Sequence, residues 1–146
     1  MKNKCIKYIV LMIFAVGFGI ACGKAMAENT DAGMPIKVVN VTIRKEFLNQ
    51  FVSQTKKFAE DNAFAIRVAH SSPNPNDILL QLWREDVKLI GVNIANTDST
   101  NLAFEIGFYR NGDKLISGDS ITQLVVDFKK TVGQVQSATF PDEIKH

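Results

Sequence analysis

The sequence predicts an α+β fold: a mainly antiparallel sheet covered on one face by two amphipathic helices, which together make a two-layer sandwich. Two segments, at about 44–62 and 120–135, repeat apolar residues at helical spacing. The strand-like segments between them are joined by connections too short for crossover helices, so consecutive strands are expected to pair as antiparallel hairpins.

The first strand is predicted at 36–43, where the sequence IKVVNVTI is rich in β-branched residues. The helix at about 44–62 follows it, and charged and amide side chains occupy the side opposite its apolar stripe. Thr55 fills a gap in this stripe, which consists of Phe47, Leu48, Phe51, Val52, Phe58 and Ala59.

The middle of the chain predicts three strands. Phe64–Ala69 alternates between two faces, and the polar stretch 70–76 after it is a loop by its turn residues. Ile78–Trp83 and Val87–Ile94 predict a hairpin, because the charges between them belong at an exposed turn. A turn at Glu85-Asp86 gives a register that pairs Leu82 with Leu89, Leu79 with Val92 and Trp83 with Lys88.

A further strand is predicted at Leu102–Tyr109, after a polar loop at 96–101, because its apolar residues alternate regularly. The segment Arg110–Asp113 (RNGD) is the strongest turn signal in the chain. A short return strand is therefore expected at Lys114–Ile116.

The second helix is predicted at about 120–135, with Asp119 or Ser120 as its N-cap. The polar tail at 137–146 is expected to be loose. The apolar stripe of this helix consists of Ile121, Leu124, Val125, Phe128, Val132 and Val135.

The N-terminus predicts export. Residues 1–27 have the form of a signal peptide, with three early lysines, an apolar run and the small-x-small motif Ala25-Met26-Ala27. The apolar run has about 14 residues, short of the roughly 20 that span a bilayer. Cleavage after Ala27 would place the protein in the periplasm or outside the cell. An alternative remains at Cys22, whose surroundings resemble a lipobox and whose lipidation would anchor the protein to a membrane.

Cleavage changes both the cysteine count and the net charge. Cys5 and Cys22 precede the predicted site, so the mature chain would hold no disulfide and depend on its core alone. The leader carries four of the 17 basic residues and no acidic one, so 13 basic and 15 acidic residues remain, a net charge of −2. A nearly neutral protein has no electrostatic reason to bind nucleic acid.

The mature length allows one ordinary domain with a real core. The predicted organisation is a signal peptide at 1–27, a flexible arm at 28–35, a single α+β domain at 36–136 and a C-terminal tail at 137–146. The chain shows no internal repeat and no linker composition that would divide it further.

The mature sequence offers little support for catalytic or metal-binding chemistry. His70 is its one histidine apart from the C-terminal His146, and a single histidine is not a ligand set. A triad of Ser71 or Ser72 with His70 and Asp77 is not expected, because these residues are too close in sequence, and no nucleophile elbow exposes a serine. No glycine-rich phosphate loop is present. We therefore expect no metal and no cofactor, and the balance is against an enzyme.

Glu105 is the carboxylate with the most interesting predicted surroundings, because it lies inside a strand among aromatic residues. Desolvation there would raise its pKa. The interpretation that we favour is an ion pair with Arg67 or Lys88, which the alternation places on the same face of the sheet.

One group of residues predicts a binding surface: Trp83, Tyr109, Arg67 and Arg84. Trp, Tyr and Arg dominate binding hot spots, and Trp83 next to a charged turn suits a partly exposed anchor. The alternative is that Trp83 packs on the sheet beneath the N-terminal arm.

The leading hypothesis is a small exported, non-catalytic protein that binds another protein of the cell envelope, as an inhibitor or immunity protein does. A second hypothesis is a ligand-binding or hydrolytic protein with a cone-shaped pocket that contains Glu105 and Arg67. A third is a structural subunit of an envelope complex. An enclosed polar cavity would favour the second hypothesis, and a flat, exposed apolar patch the first or third.

Overall fold

A computed structural model describes residues 33–70, 76–94 and 100–141. The predicted signal peptide with Cys22, most of the predicted arm at 28–35, most of the two polar loops and the end of the tail lie outside these residues. The elements are β1 Lys37–Arg44, a 3₁₀ turn Lys45–Phe47, α1 Leu48–Asp61, β2 Ala65–His70, β3 Ile78–Trp83, β4 Val87–Ile94, β5 Asn101–Arg110 and α2 Gly118–Val132.

The five strands form one antiparallel sheet with the order β1-β5-β4-β3-β2, which confirms the predicted fold class. The first strand therefore lies beside the last, and α1 is the connection between the two edges of the sheet. The predicted hairpin register is also confirmed: Leu82 pairs with Leu89, Leu79 with Val92 and Trp83 with Lys88.

Both helices pack on one face of the sheet, and aromatic side chains fill the space between the layers. Phe51 of α1 stacks on Phe104 of β5 with ring centroids 4.7 Å apart. Phe58 lies between Phe64 and Phe128, at 5.7 and 5.3 Å. All five rings are buried, so the helix stripes predicted from the sequence do face the sheet.

Thr55 is the buried polar residue of this core. Its hydroxyl donates to the backbone carbonyl of Phe51, one turn earlier, at 2.9 Å. The burial therefore leaves no donor unsatisfied, and a small β-branched residue fits between the larger side chains of the stripe.

The expected return strand at Lys114–Ile116 is wrong, since that segment has no strand structure. The reason is topological: β4 pairs with one side of β5 and β1 pairs with the other. A return strand would need a free edge on β5, and the first strand of the chain already occupies it.

The second helix is shifted from its predicted bounds, because its N-cap is Ser117 and neither Asp119 nor Ser120. The Ser117 hydroxyl accepts a hydrogen bond from the Ser120 N–H at 3.1 Å. The helix ends at Val132, yet the turn that follows carries Val135 into the core.

The first part of the tail is ordered against β1, which corrects the expectation of a loose tail. Thr139 and Thr42 exchange two backbone hydrogen bonds, each of 2.9 Å. The Arg44 N–H donates to the Ser137 hydroxyl at 2.9 Å, and Phe140 packs against the core. The polar composition of the segment gave no sign of this contact with β1, because backbone groups make much of it.

Candidate contact surface

The second face of the sheet is covered by neither of the two helices, and we call it the open face. Strand register divides most of it into three rows that run across the strands, beyond which Ile94, Ala103 and Thr42 form a shorter row. The first row holds Ala65, Trp83, Lys88 and Tyr109. The second holds Arg67, Gln81, Ile90, Gly107 and Val38. The third holds Ala69, Leu79, Val92, Glu105 and Asn40.

The first row brings together the two aromatic residues predicted to bind. Lys88 pairs with Trp83 on one side and with Tyr109 on the other. Strands spaced by about 4.8 Å put the two aromatic residues about 10 Å apart, with the lysine between them. Trp83 is 45% exposed, so it is not a core residue.

Tyr109 lies over the backbone of Gly107. A Cβ atom built at Gly107 would come within 2.6–2.8 Å of the Tyr109 ring and hydroxyl. Glycine is therefore the residue that allows the ring to lie down on the sheet. This contact holds Tyr109 against the open face and makes the surface flatter there.

Arg67 shares the open face with these aromatic residues. It pairs with Gln81 on β3, one row from Trp83, and its side chain is exposed on the edge strand β2. Three of the four residues predicted to bind, Arg67, Trp83 and Tyr109, thus lie on one surface.

Arg84, the fourth predicted residue, lies at the β3–β4 turn and is engaged in holding the fold together. Its guanidinium donates to both carboxylate oxygens of Asp86, at 2.7 and 3.1 Å, and to the Asn62 carbonyl at 3.0 Å. It also lies 4.8 Å from the centroid of the Phe64 ring. The half-buried Arg84 therefore ties the hairpin tip to the turn after α1.

Asp86 completes this arrangement. The hydrogen bonds and positive charge of Arg84 hold the pKa of the Asp86 carboxyl below its usual value, against an opposing effect of burial. Asn111 adds two further bonds, from its backbone N–H to the Asp86 carbonyl at 3.1 Å and from its side chain to the Arg84 carbonyl. The tip is thus also joined to the end of β5.

Glu105 does not form the ion pair that we favoured. Its neighbours across the strands are Asn40 and Val92, and Arg67 lies three strands away. In the described part of the chain, Glu105, Arg67 and Lys88 form no ion pair. The carboxylate is exposed on the open face, so it is not a desolvated acid either.

Two shallow depressions lie at opposite ends of the sheet, and both are open to solvent. One, of about 410 Å³, lies beside Trp83 and the hairpin tip and is bounded by Lys114 and Ala63. The other, of about 340 Å³, lies between Leu79 and His70. Glu105 and Arg67 line neither of these two depressions.

The sequence interpretation missed the contribution of β1 to this surface. Val38 lies beside Gly107 in the second row, and Ile36 donates its N–H to the Phe108 carbonyl just beyond the strand. Both side chains are more than a third exposed. Their β-branched character was a signal for a strand, but nothing in the sequence placed that strand next to β5.

Among the described residues, no three His, Cys, Asp or Glu side chains cluster in a way that would hold a metal ion. Neither helix in that part of the chain has the length and apolar character needed to cross a membrane. No protein-family model matches the chain, and comparison with curated proteins finds no match, so the surface itself is the basis for a functional conclusion.

Proposed function

We propose that the protein is a small exported binding protein that docks its open face onto another protein of the cell envelope, in the manner of an inhibitor or immunity protein. The observation that carries this proposal is the apolar character of a sheet face that neither helix covers. Five large apolar side chains at this face are 37–45% exposed: Ile36, Val38, Trp83, Val92 and Ile94.

The composition of the face supports a protein partner. Extended apolar patches on small proteins commonly mark interaction sites. Trp83 and Tyr109 supply large contact areas with few rotatable bonds, and Lys88, Arg67 and Glu105 supply charges around them. The flat shape suits a protein surface better than a small ligand, which needs a concave site.

Export is the second part of the proposal and rests on residues 1–27. Their basic start, apolar run and small-x-small end are the features of a cleaved leader. A protein processed after Ala27 would meet its partner in the periplasm or outside the cell.

The test is capture of envelope proteins by the processed protein, followed by calorimetry with each purified partner. Trp83→Ala is expected to weaken binding by about 2 kcal/mol or more, because a large, exposed aromatic anchor is lost. Val126→Ala is the matched control, since Val126 is 52% exposed but lies on α2, away from the open face.

Urea melts of the same variants separate binding from folding. We expect Trp83→Ala to retain most of the stability of the wild type. Equal affinity of the wild type and Trp83→Ala for a captured partner would contradict the proposal, as would a loss of binding in Val126→Ala that matches the loss in Trp83→Ala.

A further inference from the structure

We infer that the open face also binds a second copy of this chain, forming a two-fold dimer that the envelope partner must displace. The inference rests on the proposed function in one respect, that this face is the binding surface. It adds the identity of a second occupant and a competition between the two.

The centre of the open face is apolar and self-complementary. Ile90 lies on β4, the central strand, and in the second of the three rows. Gly107 beside it has no side chain, and the Tyr109 ring lies down over that glycine, so β5 presents a flat surface next to Ile90. A two-fold interface places the same patch against itself, which requires such a centre.

A two-fold axis that runs across the strands through Ile90 places the first row of one copy over the third row of the other. Ile90 then faces Ile90, and Trp83 faces Leu79 of the second copy. The backbone of Tyr109 faces that of the second copy's Glu105, and the Tyr109 ring lies over Gly107, closer to the axis. Because the operation is two-fold, each of the last two contacts occurs twice.

The charges of the face are complementary under the same operation. Lys88 lies over Val92 of the second copy and next to that copy's Glu105, one strand away. Facing sheets are about 10 Å apart, a distance that lysine and glutamate side chains bridge together. Within one chain neither residue forms an ion pair with the described residues, so both are available for this contact.

One contact opposes association. The axis brings Arg67 near Arg67 of the second copy, a pair of like charges. They lie on the edge strand β2 and are exposed, so solvent and salt screen the repulsion. The twist between packed sheets, about 30°, also moves the edge strands apart.

The size of the face sets the strength of the dimer. Five strands about 4.8 Å apart, each contributing about 20 Å of length, give a flat area of about 500 Å². Stable complexes bury about 800 Å² of accessible surface per partner, so the face is smaller than this and has the size of a weak, transient interface. The dimer is therefore weak and concentration-dependent, and a partner with a larger complementary surface displaces it.

Sedimentation of the processed protein from about 1 µM to about 1 mM measures this equilibrium. The wild type is expected to shift from monomer to dimer across the range. Ile90→Lys should raise the dissociation constant at least tenfold, because it places two charges across the axis. Val126→Lys, a matched change on α2, should leave the equilibrium unchanged.

A charge exchange tests the orientation of the two copies. Lys88→Glu and Glu105→Lys should each weaken the dimer several-fold, and the double variant should restore the wild-type dissociation constant, because each copy then carries the reversed pair. Circular dichroism and urea melts establish that every variant is folded.

A wild type that stays monomeric up to about 1 mM would overturn the inference. So would a dimer that Ile90→Lys leaves intact, or single charge variants that the exchange fails to rescue. These results are distinct from a failure of the proposed function. If the wild type stays monomeric and Trp83→Ala still fails to bind the envelope partner, the proposed function stands and the self-association does not.

Discussion

At the scale of single residues, the turn after α1 contains a conformational strain. Ala63 has φ of 57°, in the left-handed region that favours glycine. The turn is a Schellman motif: the Phe64 N–H donates to the Ala59 carbonyl at 2.8 Å, and the Ala63 N–H to the Glu60 carbonyl at 3.3 Å. Stacking of Phe64 on Phe58 supplies the hydrophobic contact that accompanies such a motif.

Replacing Ala63 with glycine should therefore stabilise the protein. Relief of the left-handed strain is worth about 1–2 kcal/mol, and the greater freedom of glycine in the unfolded chain offsets about half of it. We expect a net gain of about 0.5–1 kcal/mol in urea melts.

Gly112 provides the opposite control for this change. Its φ is 67°, and an added Cβ would lie 3.2 Å from the Glu85 carbonyl oxygen. Gly112→Ala should destabilise the protein. Loss of stability in Ala63→Gly would show that the methyl group of Ala63 contributes more than its backbone costs.

Asp86 should make stability depend on pH in the acid range. The folded pKa of its carboxyl is below the usual 3.8, so its contribution is fully present above about that pH and is lost as pH falls through the lower folded pKa. Asp86→Asn should cost about 1–2 kcal/mol near neutral pH, since it weakens a charged hydrogen bond.

The difference in unfolding free energy between wild type and Asp86→Asn should then shrink below pH 3.8. Glu85→Gln is the control at the same turn, because Glu85 is exposed and pairs only with the exposed Lys114. Its effect should be near zero at every pH. A constant difference for Asp86→Asn down to the lowest pH would refute the role given to its charge.

At the scale of the elements, Phe58 connects three parts of the fold. It contacts Phe64 before β2 and Phe128 on α2, and it is fully buried on α1. Phe58→Ala should cost about 3–5 kcal/mol, because the cavity lies where both helices meet the sheet. Urea melts measure the loss, and a cost below about 1 kcal/mol would mean that the helices pack differently.

The elements that the sequence predicted well are those defined by local periodicity. The stripe around Phe51 and Phe58 and the alternation of β5 are local patterns, and both were confirmed. Strand order is not a local property. The position of β1 beside β5 and the docking of Thr139 on Thr42 depend on pairing between distant segments, so neither could be predicted.

The candidate site was predictable to the same extent. Alternation within the hairpins indicated a shared face for Trp83 and Arg67, but whether Tyr109 lies on the same face depended on the pairing of β4 with β5. The position of Arg84 depended on Asn62 and Phe64, which lie 22 and 20 residues earlier in the chain. Arg84 was predicted to bind a partner because of its residue type, but its guanidinium is used in contacts within the fold.

At the scale of the whole molecule, the proposed export predicts the mass of the processed chain. Intact-mass measurement of protein recovered from the periplasm should give the mass of residues 28–146, because processing is expected after Ala27. A mass that corresponds to an acylated chain beginning at Cys22 would replace a free protein with a membrane-anchored one. An unprocessed mass would refute both forms of processing.

The two edges of the sheet also differ in a way that limits assembly. The tail segment around Thr139 occupies part of the outer side of β1, whereas β2 ends the described sheet on the other side. Growth of a fibre by edge-to-edge addition needs two accepting edges in every subunit. The bridge between Thr139 and Thr42 blocks strand addition at that end of β1, so this edge is a poorer template for polymerisation than the β2 edge.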